Sequence, residues 1–258
     1  MVKERVDMTQ ITDIKLYNTQ MSHSMKDKLF FLDYIKEGQF DTIIDFGCAN
    51  GELLKQIPYH CDKIGIDNSL EMRKEAYVNY PECIYAESLD DLEGFDKSKT
   101  LLNMSSVIHE IYSYLSEEEV DYFWNQVFNG GYKYIIIRDM MVSNKTNRLI
   151  HLDDLRKITG AGYKSLFEDF RKVYPEWRVR DILHFFMKYR YTENWDRERD
   201  ENYFPITKEE LIALIPDTYE IIYNEDYVLE WTKDRVYQDF KYEIEDNTHT
   251  KLILKKKD

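Results

Sequence analysis

Between Thr42 and Met140 short apolar runs alternate with stretches of helical periodicity, and this alternation narrows the choice of fold more than any other feature. The strand candidates are TIIDF (42–46), KIGID (63–67), CIYAE (83–87), TLLNMS (100–105) and YKYIIIRDM (132–140). GELLKQI, SLEMRKEAYVN and SEEEVDYFWNQVFN separate them as helices, with a short LDDLEGF turn region before the fourth strand. Ser116 stands three residues before Glu119, the spacing of a capping box. Strands that return to one sheet through helices do so by right-handed crossovers, which makes the sheet parallel and covers both faces. The expected class is therefore α/β with a mostly parallel, Rossmann-like sheet. Near the end, YEIIYNEDYVLEW and THTKLILKKK read as two further strands with no helix between them, an antiparallel hairpin that brings the sheet to seven.

A segment of about sixty residues separates the fifth strand from the helix TKEELIALI, far more than an ordinary connection needs. NRLIHLDDLRKI, KSLFEDFRKVY and RVRDILHFFMKYRY each repeat apolar residues at three-to-four spacing, so the segment reads as a helical cap inserted above the carboxyl ends of the strands. The expected organisation is an N-terminal helical segment (1–40), a ligand-binding α/β core (41–142), the cap (143–204), and a C-terminal helix and strand pair completing the core (205–258). Thr207 and Glu210 supply a second capping box.

The 258 residues are 43% hydrophobic, enough for a sizeable core, and no apolar run approaches the length of a membrane span. The N-terminus MVKERVDMTQ has no apolar leader region, so a cytoplasmic location is expected. Cys48, Cys61 and Cys83 are odd in number and lack metal-ligand spacing; reduced thiols and no metal site are expected. A net charge of −14 disfavours indiscriminate nucleic-acid binding. Residues 138–190 nevertheless hold twelve Lys or Arg against seven Asp or Glu, a basic segment suited to an anionic substrate or, as the alternative, to a nucleic acid.

The stretch DTIIDFGCANGELLKQI runs from a strand into a helix through small residues, which let backbone approach a ligand. Glu52 and Leu53 follow Gly51 where a phosphate-binding loop needs lysine and a hydroxyl, so nucleoside triphosphates are excluded. Counted from Gly47, the dinucleotide pattern would put Glu52 where a small residue should pack, which makes a nicotinamide cofactor second choice. The pattern present is acid-x-Gly-x-Ala-x-Gly, starting at Asp45, with Asp67 at the end of the next strand. A carboxylate there can accept from both hydroxyls of a ribose, and Asp45 and Glu52 suit a cationic ligand. The same residues allow plainer roles: Gly47 and Gly51 in a tight turn, Asp67 as a helix cap beside Ser69, Cys48 as a small loop residue without a basic partner.

IIDFGCANG resembles the first motif of the class I S-adenosylmethionine-dependent methyltransferases, D/E-x-G-x-G-x-G, with Ala49 in place of the middle glycine. IGIDNSLEM is similar to that family's second-strand motif, IYAESLDDL to its third, and NMSSVIHEI to its fourth, written S-x-S-V-L-H-x-L. The resemblance covers about Phe31 to Val142. It implies S-adenosylmethionine as cofactor and S-adenosylhomocysteine as product. The residues it implies around the cofactor are Asp45, Gly47, Cys48, Ala49, Asn50, Gly51, Asp67, Asn68 and Met72, Glu87 and Ser88 near the adenine, and Met104 and Ser105 near the methionine part.

His109 is the candidate catalytic base, since a histidine beside the fourth strand could take a proton from an acceptor hydroxyl or amine; the alternative is a histidine that only packs. Methyl transfer from a sulfonium is an in-line displacement with a good leaving group, so orientation matters most and a base is optional. Glu110 and, in the cap, His184, Lys188, Arg190, Tyr191 and Trp195 are the candidate acceptor contacts, aromatic and cationic groups that suit an aromatic or anionic molecule. NMSS stands where amino-methylating DNA enzymes carry D/N-P-P-Y/F, no Pro-Cys pair exists, and no Lys-Asp-Lys-Glu set assembles. Methyl transfer to a small-molecule acceptor is thus the expected activity; an RNA or tRNA methyltransferase using the basic cap and a non-catalytic binder of the adenosyl nucleoside are the alternatives.

Overall fold

A computed structural model of the protein describes residues 25–92 and 94–257; of the expected N-terminal segment, residues 1–24 lie outside them. The strands are β1 (Thr42–Phe46), β2 (Asp62–Ile66), β3 (Ile84–Ala86), β4 (Thr100–Ser105), β5 (Tyr134–Met140), β6 (Tyr219–Tyr227) and β7 (His249–Lys256). They form one seven-stranded sheet in the order β3-β2-β1-β4-β5-β7-β6. β1 pairs in parallel with β2 and β4, β2 with β3, and β4 with β5. β7 runs the other way: Met141 N bonds Thr248 O at 2.9 Å while Lys256 N bonds Lys133 O at 3.0 Å, so the two stretches ascend in opposite senses. β6 is antiparallel to β7 by the same reasoning, from Thr248 N to Tyr227 O (3.1 Å) and Lys257 N to Thr218 O (2.9 Å). Buried central strands read as unbroken apolar runs, as Ile43, Ile44, Leu101, Leu102 and Ile135 to Ile137 do here.

The chain divides into two compact units, one built on the chain up to Asp139 with Pro216–Asn224 and the residues from Lys251 onward, the other on Met140–Ile215 and Glu225–Thr250. In the first unit the helices are α1 (Met25–Lys28), α2 (Glu52–Gln56), α3 (Leu70–Asn79), α4 (Ile108–Tyr114) and α5 (Glu117–Asn129). Both capping signals hold: Ser69 Oγ accepts from Met72 N at the start of α3, and Ser116 and Glu119 form the reciprocal box of α5. The sequence reading did not mark α4. Its N-cap position is Val107, which carries no local signal, and the acceptor for its first amides comes from β5: Asp139 Oδ2 takes Val107 N at 2.9 Å and Ile108 N at 2.6 Å.

The second unit holds α6 (Leu152–Gly160), α7 (Lys164–Val173), α8 (Val179–Lys188), α9 (Trp195–Asp200), α10 (Lys208–Leu214) and α11 (Glu230–Phe240). It is larger than the expected insertion at 143–204, and it includes α11, which corrects the expectation of two terminal strands without a helix between them. Thr232, Val236 and Phe240 recur at four-residue spacing on the buried side of α11, while Trp231 and Tyr237 stay exposed. Those aromatics on the solvent side blur the helical stripe, which leaves the segment without a clear helical signal. Phe185 lies at the centre of this unit's core, its ring 4.9 Å from Phe167, 5.6 Å from Phe170 and 6.0 Å from Phe240. Phe185→Ala should cost about 3 to 5 kcal/mol, the range for emptying a buried aromatic site, as measured by urea unfolding. A loss below about 1 kcal/mol would contradict the packing described.

Candidate functional site

Strand order reverses at β1, with β2 on one side and β4 on the other, and in an open parallel sheet the crevice for a ligand opens there. The loop from Gly47 to Gly51 leaves the carboxyl end of β1 at that point. Its first two amides, Gly47 N and Cys48 N, both bond Ile66 O at 2.8 and 2.9 Å, and Gly51 N closes a turn onto Cys48 O at 2.9 Å. Three residues take the left-handed region: Gly47 at φ +78°, Ala49 at +45° and Gly51 at +73°. A Cβ on Gly47 would stand 2.8 Å from Val107 Cγ2, and one on Gly51 2.7 Å from the Tyr85 hydroxyl, so neither position accepts a side chain. Ala49 pays roughly 1 to 2 kcal/mol for that conformation, where the family motif would have glycine.

Asp67 fixes this loop. Its Oδ2 accepts from Ala49 N and its Oδ1 from Ser69 N, both at 2.9 Å, which ties the loop after β1 to the start of α3. Burial pushes its carboxyl up, against the pull of the Ser69 and Ala49 amides and of Arg73. A carboxylate oxygen has more than one lone-pair direction, so a ligand hydroxyl can still be accepted. Arg73 bonds the carbonyl of Asp67 at 2.5 Å and the carboxylate of Glu87 at 3.0 Å; Glu87 is otherwise solvated. Ser88 Oγ turns to Asp91 Oδ2 at 3.1 Å, as a cap. Asn68 is exposed and Met72 buried. The carbonyl of Asn50 takes Asn79 Nδ2 at 3.0 Å. Cys48 is buried, and burial with the nearby charges of Asp45 and Asp67 holds its thiol far above the usual range, which excludes it as a nucleophile.

Asp45 and Asn103 are register neighbours on β1 and β4, and Asn103 Nδ2 donates to Asp45 Oδ1 at 2.7 Å. Ser105 Oγ donates to Asn103 Oδ1 at 3.2 Å, placing Asn103 and Ser105 on one face of β4. Met104 between them is 0% exposed, so its side chain belongs to the core, a correction to the expectation that it faces a ligand. Burial pushes Asp45 up to about 6, opposed by the Asn103 hydrogen bond and by the charge of Lys28.

His109, on α4, is buried, and its Nδ1 lies 2.8 Å from Asp139 Oδ1. Asp139 also accepts two backbone N–H groups through Oδ2, and an ionised carboxylate facing the ring favours a proton on Nδ1. The sequence reading missed Asp139, Asn103 and Lys28; an acid, an amide and a lysine inside or beside apolar stretches were the signal available. Glu110 is half-buried next to His109.

In the second unit the candidate acceptor contacts are engaged by that unit's own groups. His184 is 2% exposed and its Nε2 accepts from Tyr203 N at 3.0 Å, with Tyr174 edge-on at 4.5 Å; it holds the core together. Arg190 pairs with Asp239, and Trp195 Nε1 donates to Asp169 Oδ2 at 2.9 Å. Tyr191 is half-buried, its hydroxyl pushed up by burial. Lys188 is buried against the carbonyls of Glu198 and Glu201, and burial lowers it to about 7. Of the twelve basic residues of 138–190, eight stand in ion pairs: Arg138, Arg148, Arg156, Lys157, Lys164, Lys172, Arg178 and Arg190. That pairing removes most of the positive field a nucleic acid would need.

No protein-family model matches the chain, and no curated protein does. Among solved structures, a SAM-dependent methyltransferase from Archaeoglobus fulgidus aligns at 15% identity over 95% of this chain and 100% of its own, with a TM-score of 0.53. The plantazolicin methyltransferase BamL, solved with a triazolic desmethylPZN analogue and SAH, aligns at 11% identity over 94% and 87%, with a TM-score of 0.51. The fold is that of the class I S-adenosylmethionine-dependent methyltransferases. Among the described residues, no helix is long and apolar enough to cross a membrane.

Because the folded state holds a proton on Asp45 up to about pH 6 and an unfolded aspartate releases it near 3.8, the folded protein binds more protons between these values. Asp45 therefore subtracts stability as pH rises through that window. Asp45→Asn removes the titration, and its stability relative to the unaltered protein should climb from pH 4 to pH 7 in urea titrations. A difference that stays flat over that range would show that Asp45 is not the group titrating.

Proposed function

We propose that the protein transfers a methyl group from S-adenosylmethionine to a small-molecule acceptor. The observation that carries this reading is the acid-anchored loop: Asp67 receiving the amide of Ala49, between two glycines whose Cβ positions are filled by neighbours. That cradle has bare backbone for close approach, a carboxylate at the place where a ribose would be held, and no lysine for a polyphosphate. Asp45 and Asp67 favour a cation over a pyrophosphate. The residues fit an adenosyl sulfonium. Asn50, Asn68, Met72 and Glu87 belong to the same rim in this reading, whereas Ser88 keeps its hydroxyl for Asp91.

When bound, the sulfonium supplies an activated methyl group with a good leaving group. The chain's own part is to orient the acceptor, exclude water and, where the acceptor carries a proton, remove it. His109 is suited to that last step, since Asp139 Oδ1 at its Nδ1 orients the ring as a general base requires. With eight of the twelve basic residues of 138–190 in ion pairs, the nucleic-acid alternative has no observation in its favour.

Titration with S-adenosylmethionine, S-adenosylhomocysteine and NAD, read as a thermal shift, tests the cofactor. A ligand at one hundred times its Kd stabilises by about 2.7 kcal/mol, roughly 5 to 10 °C for a chain of this size. Both adenosyl ligands should produce the shift and NAD none. Asp67→Ala also orphans the Ala49 and Ser69 amides and lowers the starting midpoint, so the ligand-induced increment is the readout, and it should fall by about 1.5 to 3 kcal/mol of binding. A shift with NAD alone, or with none, sinks the reading.

His109→Ala should cut turnover about a hundredfold with S-adenosylhomocysteine affinity intact. Asp139→Asn, whose amide would donate to Nδ1 and force the other tautomer, should lower turnover in the same direction. Unchanged turnover in both would remove the pair from the mechanism and leave a site that works by orientation alone.

A further inference from the structure

The turn from β4 into α4, the helix that carries His109, is held in an unfavourable shape. Ser106 takes the left-handed region at φ +60°, which a residue with a Cβ enters only at a cost. Ala49 shares that region and is anchored through its amide by Asp67. At Ser106 the anchor is Arg138, whose carbonyl accepts Ser106 N at 2.7 Å and whose Nη1 donates to Ser106 Oγ at 2.7 Å. Backbone strain persists where its surroundings over-determine it, and such places cluster at working sites.

The arginine is itself fixed. It is 3% exposed, and Asp27 of α1 accepts from its Nε at 2.9 Å and from its Nη2 at 2.7 Å. The other oxygen of Asp27 pairs with Lys251 of β7 at 2.7 Å, so a clamp of buried charges stands behind a single hydroxyl contact. The next residue of β5 is Asp139, which takes the amides of Val107 and Ile108 and faces His109 Nδ1. Successive residues of a strand face opposite sides of its sheet, so β5 grips the turn from both sides. Asp139 can reach the two amides and the ring together only while the chain leaves β4 in this direction, and φ at Ser106 sets that direction. We propose that Arg138 is a positioning residue for His109: by holding Ser106 left-handed, it aims the imidazole at Asp139. This rests on the reading of His109 as the base of methyl transfer, yet the geometry can be measured without any turnover.

The experiment follows the Nδ1 proton of His109 by NMR on the full chain with isotope-labelled histidine, the signal being assigned by its disappearance in His109→Gln. A ring proton held by a buried carboxylate is protected and visible, whereas one without a partner is lost to exchange with water. Ser106→Ala removes the hydroxyl but keeps a Cβ that resists the left-handed region, so the signal should be lost. Ser106→Gly removes the same hydroxyl and takes that region freely, so the signal should stay. Arg138→Lys keeps a charge for Asp27 but loses the fork that reaches Ser106, and should lose the signal; adding Ser106→Gly to the same chain should bring it back. The backbone amide spectrum certifies the fold of each variant, and should Arg138→Lys not fold, the two Ser106 variants decide alone. A signal kept in Ser106→Ala overturns the proposal, since the hold would then be unnecessary. A signal lost in Ser106→Gly overturns it as well, since His109 would then depend on the hydroxyl and not on the backbone shape. If the signals behave as expected while His109→Ala turns over normally, the positioning stands and the reading of His109 as a base is what fails.

Discussion

A parallel sheet delivers the carboxyl ends of its strands to one edge, and where the order reverses, between β1 and β4, the crossovers leave in opposite directions and open that edge. Everything of chemical interest in the first unit follows from this constraint. The loop after β1, Asp67 after β2, Asn103 and Ser105 at the end of β4 and Asp139 at the end of β5 all belong to that edge. Polar groups here are buried by the sheet yet not consumed by its ladder, so each needs a specific partner. Asp45 finds Asn103, Asp139 finds His109 and two backbone amides, and Asp27 finds two cations. Such groups cost stability compared with an apolar core, and their concentration at one edge is what makes that edge the candidate site.

How much of this was legible depends on the distance over which each signal acts. β1, β4 and β5 were readable because a buried strand must be apolar along most of its length, and α5 and α10 because a capping box is written within four residues. α4 was not readable, since the carboxylate that caps it arrives from 31 residues away on β5. α11 went unmarked because aromatic residues on its solvent face blur the helical stripe. In the candidate site, the glycine loop and Asp67 form a local pattern that is written in the sequence itself. Asn103, Asp139 and Lys28 are single polar residues in apolar surroundings, and only the fold reveals what each one meets. The partners of the basic residues of the second unit are hidden for the same reason: Arg190 finds Asp239 and Arg148 finds Asp246 across long stretches of chain.

The basic segment carries a further lesson about charge. A local excess of positive residues becomes a surface field only if folding leaves them without counter-charges. Here the acids that neutralise Arg138, Arg148 and Arg190 lie outside residues 138–190, where a window count cannot see them. Net charge over a window therefore says little about what a folded surface presents.

The clamp on Asp27 also ties together parts of the first unit that are far apart in the chain. Its partner on β5 is 111 residues further on, and its partner on β7, Lys251, is separated from it by about twice that distance along the chain. Neither bond can form until strands far apart in the sequence have come together beside α1. A short helix thus waits on two distant strands, the kind of non-local closure that slows folding.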